Sequence, residues 1–142
     1  AQWEYACRAG AATALNSGKN LTGTDSCTNM AEAGRYWYNG GSGYSADGDT
    51  SVGTAKAGSY LQNQWGLYDM HGNVYEWCLD WYGIYSQEIQ ADPRGAADGA
   101  RRVHRGGCWD VEADFCRSAL RNSVSPSSWN YHLGFRLVLT VQ

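Results

Sequence analysis

The chain has 142 residues, a net charge of −3 and an apolar share of 43%, enough for the core of one domain. That charge excludes a general nucleic-acid binder, which needs a basic surface, and no apolar run approaches the roughly 18 residues of a membrane span. Seven Trp and ten Tyr against two Phe, with 18 Gly, exclude a helical bundle and predict a loop-rich fold pinned by aromatic side chains and polar networks.

In chain order, "AQWEYACRAG" (1–10) predicts a short helix with Trp3, Ala6 and Cys7 on one face and Gly10 as its left-handed stop. A helix at the very start of the chain is expected to belong to the C-terminal portion of something longer. Residues 11–54 show no sustained period, but the knot Tyr36-Trp37-Tyr38 argues for order there. Leu67 to Met70 reads as a single helical turn. "NVYEWCLDWY" alternates Val74, Glu76, Cys78 and Asp80 against Tyr75, Trp77, Leu79 and Trp81, the period of a strand with one aromatic and apolar face. "RRVHRGG" reads as a strand ending in a Gly pair and "FCRSALRNS" as a short helix or strand. "SVSPSSWNYH" is a polar loop, and "GFRLVLTV" (134–141) a closing strand. The sum is a mixed α+β domain over 1–142, held by a small antiparallel sheet.

Five cysteines, Cys7, Cys27, Cys78, Cys108 and Cys116, form no CxxC, so a zinc knuckle is not expected. Most are expected to be small buried side chains. The three histidines, His71, His104 and His132, show no catalytic spacing.

Six motifs occur in order: "QWEYACRAG", "NQWGLYDMHGNVYEWCLDWY", "RVHRGGCW", "CRSALRN", "SP" and "LGFRLV". Together they resemble the formylglycine-generating enzyme, or sulfatase-modifying factor, family, and the resemblance implies a variant of the C-type lectin fold. It also implies that the N-terminal part of the family domain is missing, whether trimmed, dispensed with or supplied by a partner chain. Fold alone does not give function, which is decided at the site.

The resemblance implies that "GLYDMHGNVYEW" wraps a structural calcium ion, with Asp69 and Glu76 carboxylates and Gly72 and Val74 carbonyls as ligands. Calcium takes six to eight oxygens of these types. Asn73 reads as a turn residue, and the alternative is a calcium-free loop in which Asp69 caps backbone N–H groups.

The family's oxidases bind copper between two cysteines, the first four positions beyond the second Gly of "RGG" and the second five further on. Here those positions hold Val111 and Cys116. Copper(I) needs soft thiolates, so the broken pair argues against copper and against an enzyme. Cys108 leaves two alternatives open: a displaced copper partner for Cys116, or a disulfide with it.

The segment 105–136 suggests a binding face. Arg105, Gly106, Gly107, Arg117, Arg121, Pro126, Gly134, Phe135 and Arg136 read as its fixed frame. The arginines are expected to anchor loops through charge-assisted hydrogen bonds. Between them, Trp109, Asp110, Val111, Asp114, Phe115, Ser118, Leu120, Ser123, Ser128, Trp129, Asn130, Tyr131 and His132 are the candidate ligand contacts, with Ser127 beside them. Rigid aromatics among Ser and Asn are the composition of a paratope. The segment also resembles the diversified stretch of the variable proteins of diversity-generating retroelements that use this fold. That resemblance implies a non-catalytic display domain for an unknown protein or glycan ligand, with a cell-surface or secreted place left open. An undiversified accessory domain and an oxidase with an altered cysteine pair are the alternatives.

Overall fold

The computed structural model describes residues 1–41 and 52–138. Parts of the aperiodic 11–54 stretch and of the expected 134–141 strand therefore lie outside the described residues.

Helix α1 spans Gln2–Arg8 and buries Cys7. Glu4 and Arg8 pair across one turn at 2.8 Å, an acid placed N-terminal to a base. The helix stops one residue earlier than the sequence suggests: Ala9 is already left-handed (φ 45°) and returns its N–H to Tyr5 O. Helix α2, Thr28–Ala33, runs into β1, Gly34–Arg35, and the aromatic knot then forms a π-helical turn, Trp37–Gly41. β1 pairs in parallel with β2, His71–Gly72. The pairing is so close that a Cβ on Gly72 (φ 70°) would lie 1.9 Å from Arg35 O, which only glycine avoids.

The main sheet holds β3 (Tyr75–Trp81), β4 (Arg102–Arg105), β5 (Asn122–Val124) and β6 (Leu133–Gly134), in the order β5-β4-β3-β6. β4 runs antiparallel to both β3 and β5, whereas β6 joins β3 in parallel at Tyr75↔Leu133 and Glu76↔Gly134. Three expectations need correction. Leu67–Met70 is not helical, because Asp69 takes a left-handed φ of 55°. β3 does not bury one clean face: Glu76 is buried and Leu79 is 85% exposed. Among the described residues the closing strand is two residues long, and Phe135, Leu137 and Val138 beyond it are exposed.

The apolar core gathers Leu15, Cys27, Met30, Tyr36, Ala113 and Cys116. Polar groups are built into it with partners, as buried polar groups require. His71 Nδ1 donates to Cys116 O (2.7 Å) and its Nε2 accepts from Asn16 N (3.0 Å), so the ring is a neutral clamp. Burial lowers its pKa to about 4, against the opposing bond to Cys116 O. Asn63 bonds the carbonyls of Ala6 and Cys7 and the N–H groups of Trp65 and Leu67. Among the described residues no helix is long and apolar enough to cross a membrane.

Candidate functional site

The four frame arginines anchor as their chemistry predicts. Arg105, buried, donates to the carbonyls of Ser118, Ala119 and Leu120 and pairs with Glu4 at 3.2 Å. Arg117 donates to Asp114 O (2.8 Å). Arg121 donates to Gly83 O (2.6 Å) and lies over the Tyr82 and Tyr85 rings. Arg136 donates to the Glu76 carboxylate and to the carbonyls of Tyr68 and Asp69.

On this frame the segment after the Gly pair makes a tight turn. A Cβ on Gly107 (φ 76°) would sit 2.4 Å from Cys116 Sγ, so glycine lets the turn close over the 3-10 helix Ala113–Cys116. Trp109 N donates to Asn73 O and Val111 O accepts from Trp37 N, which ties the turn to two distant loops. Tyr75 N donates to His132 O and fixes the other end of the segment on β3.

The structure brings part of the predicted set together. Trp109 lies 5.8 Å from Tyr131, ring to ring, and Tyr131 meets His132 edge-on at 4.9 Å. Asp110 Oδ2 lies 3.8 Å from His132 Nδ1, and Asp110 Oδ1 accepts from the Cys108 thiol at 2.9 Å. Asp110, Val111 and Phe115 line one cavity of about 480 Å³ with Asp25, Trp37 and Glu112. Trp129 is 91% and Tyr131 72% exposed.

Other predicted residues stand elsewhere. Ser118 is fully buried; its hydroxyl donates to Ala14 O and lies against Cys7 Sγ, so it is a core residue and cannot touch a ligand. Ser123 sits on β5 opposite Val103, across the sheet from β6. Leu120 is half-buried where Arg105 holds its carbonyl. Asp114 is also half-buried, and Ser128 and Asn130 form turns through Ser125 O and through His132 and Leu133 N–H. Sequence reasoning missed Asp25 and Trp37 as cavity walls. Trp37 carried a signal in the aromatic knot; Asp25 carried none.

The thiols are buried and free in Cys108 and Cys116. Burial pushes both pKa values up, with the carboxylates of Asp110 and Asp114 adding to it. Cys116 packs in the apolar core, its Sγ 3.8 Å from Glu112 O.

The Asp69–Glu76 loop is answered largely from within. Asp69 Oδ2 accepts from Gly58 N (2.7 Å), while its Oδ1 is buried with no partner. Glu76 accepts from Trp3 Nε1 (2.7 Å) and twice from Arg136. Asn73 is a turn residue (φ 65°) whose side chain accepts from Ala55 N. The unpartnered Asp69 oxygen fits a cation; the Glu76 oxygens already have donors.

The sequence matches the family described as sulfatase-modifying factor enzyme 1-like domains over residues 1–141. The chain belongs to this family. As a sulfatase-modifying factor domain it is 36% identical over 145 residues to the formylglycine-generating enzyme of Streptomyces coelicolor, covering 96% of this chain and 44% of that enzyme. It is 49% identical over 90 residues to the serine/threonine-protein kinase pkn1 of Chlamydia caviae, covering 61% of this chain and 15% of the kinase. Two solved structures superpose with a TM-score of 0.72: Treponema denticola variable protein 1, at 30% identity over 94% of this chain and 43% of that one, and PvdO from Pseudomonas aeruginosa, at 29% identity over 94% and 48%. The fold is therefore the C-type lectin-like fold of the formylglycine-generating enzyme type. The chain spans less than half the length of these relatives.

Proposed function

We propose that this domain is a non-catalytic display scaffold that binds a protein ligand through the rim made by Trp109, Asp110, Phe115, Trp129, Tyr131 and His132. One observation carries the reading: the four frame arginines are spent on backbone carbonyls and on the Glu4 and Glu76 carboxylates, while Phe115, Trp129 and Tyr131 between them are exposed and Trp109 is half-buried beside Tyr131. Rigid presentation lowers the entropy lost on binding. Carboxylates of Asp25, Asp110 and Glu112 beside Trp37 and Phe115 suit a positively charged group on the ligand. A variable protein of the same fold supports the further step, that residues 105–136 are the diversified segment of a retroelement cassette. Sequencing the genomic neighbourhood tests that step: a reverse transcriptase gene and a near-repeat of the 105–136 coding sequence are expected, and their absence favours an undiversified binding domain.

The likeness to formylglycine-generating enzymes favours one competing reading, a copper-dependent oxidase with Cys108 replacing the missing thiol. Val111 in the first cysteine position and the core burial of Cys116 weigh against it. Anaerobic copper(I) titration separates the two. Tight one-to-one binding lost in Cys116→Ser supports the oxidase, and no specific binding supports the scaffold.

We propose calcium as the structural ion of the Asp69–Glu76 loop. Asp69 with the Gly72 and Val74 carbonyls would hold it, with Glu76 joining only where Arg136 releases its carboxylate, and the orphaned Asp69 oxygen is the observation that supports it.

A further inference from the structure

We infer that Cys108, Asp110 and His132 form a binding site for one zinc-type divalent ion. The site is separate from the two-cysteine position of the family's oxidases and from the Asp69–Glu76 loop. A ligand atom from each of the three residues lies within 4.8 Å of the other two. Cys108 Sγ stands 2.9 Å from Asp110 Oδ1, and His132 Nδ1 stands 3.8 Å from Asp110 Oδ2. Tetrahedral zinc with thiolate, imidazole and carboxylate ligands separates them by about 3.3–3.8 Å, so small side-chain rotations close the site.

The donor set itself speaks for the ion. One sulfur, one nitrogen and one oxygen make a borderline set that calcium and magnesium disfavour and zinc accepts. His132 Nδ1 is buried and has no hydrogen-bond partner, which is costly unless something occupies it. Backbone bonds fix the positions of the ligands. Trp109 N donates to Asn73 O beside Cys108, and Tyr75 N donates to His132 O, so both ends of the triad hang from the β2–β3 region. The rings of Tyr75 and Tyr131 pack edge-on against His132 and hold its imidazole in place. On binding, the Cys108 thiol releases its proton to solvent and the thiolate bonds to the metal. Three protein ligands leave the fourth position to water or to an incoming group. Asp110 is the one residue of the triad that also lines the 480 Å³ cavity.

The test is an anaerobic titration of the reduced, chelator-treated protein with cobalt(II), followed by displacement with zinc(II). One equivalent of cobalt(II) is expected to give a thiolate-to-metal charge-transfer band and the intense visible bands of four-coordinate cobalt, both erased by zinc. Cys108→Ser abolishes the charge-transfer band, and Cys116→Ser leaves it unchanged. His132→Gln weakens binding by more than about tenfold, the loss that even a residue behind a ligand produces. Should Cys108→Ser fail to fold by circular dichroism, Asp110→Asn and His132→Gln, on side chains 26% and 28% exposed, carry the test. A wild-type protein without the charge-transfer band overturns the inference. So does a band that survives Cys108→Ser or is lost in Cys116→Ser. The site shares Asp110 and His132 with the proposed rim, but the variants leave Trp109, Phe115, Trp129 and Tyr131 in place, so ligand display by those aromatics stands or falls separately.

Discussion

Arg136 grips both oxygens of Glu76, Nη2 to Oε1 at 2.7 Å and Nε to Oε2 at 3.1 Å, and ties the chain just past β6 to β3. The same Nη2 reaches the carbonyls of Tyr68 and Asp69. Burial works against the guanidinium charge, yet the Glu76 bond and charge raise its pKa on balance. Arg136→Leu strands a buried carboxylate and two carbonyls, and is expected to cost about 3 kcal/mol, as broken buried pairs do. Urea unfolding checks this. A loss below about 1 kcal/mol would mean that Glu76 finds water or an ion in its place.

The same loop gives the calcium prediction. Adding calcium to the chelator-treated protein is expected to raise its Tm, and at a hundred times Kd the gain is about 2.7 kcal/mol. Asp69→Asn removes the orphaned oxygen's charge and should flatten the response. An identical Tm with and without calcium would leave Arg136 as the loop's sole cation.

His71 and His104 give a pH prediction. Burial lowers each to about 4, aided at His104 by the charge of His132 and opposed at His71 by its bond to Cys116 O. In the unfolded chain both titrate near 6.5. Their contribution to stability is therefore complete above about pH 6.5 and is lost as pH falls toward 4, about 3 kcal/mol in order of magnitude for His71 alone. Unfolding free energies across this range should fall with acid. Ring-proton NMR of the folded protein should show neither imidazole titrating above about pH 5. A midpoint near 6.5 for His71 would contradict the buried clamp.

Two substitutions should separate frame from rim. Gly107→Ala forces a Cβ onto Cys116 Sγ at a left-handed φ, and is expected to cost about 3 kcal/mol or to prevent folding. Trp129→Ala removes a side chain that is 91% exposed and should stay within about 0.5 kcal/mol of the parent. Denaturant midpoints of the two variants check both, and comparable losses would mean that Trp129 packs.

The sequence made the frame legible where local pattern carried it. β3 and β4 showed as an alternating run and as a strand closed by a Gly pair, and the arginines announced themselves by needing acceptors. What failed was non-local. The expected closing strand has strand composition, but among its described residues it meets β3 only through Gly134, opposite Glu76, and residues 135–138 pair with no strand. Ser118 looked like a rim residue because it is a small polar side chain between the frame residues Arg117 and Arg121, yet Arg105 draws its carbonyl inward and Ala14 O takes its hydroxyl. Asp25 reaches the cavity from a stretch without period, and Cys108 meets His132 only through folding.

The central claim is a fixed frame that carries a replaceable face. Its most direct test compares two surface-displayed libraries for the fraction of members that resist protease. One randomises Phe115, Ser128, Trp129, Asn130 and Tyr131, and the other randomises Arg105, Arg117, Arg121 and Arg136. The account predicts that most members of the first stay folded and nearly all members of the second do not. Equal losses in both libraries would contradict it, because the aromatics would then be part of the structure they are proposed only to decorate.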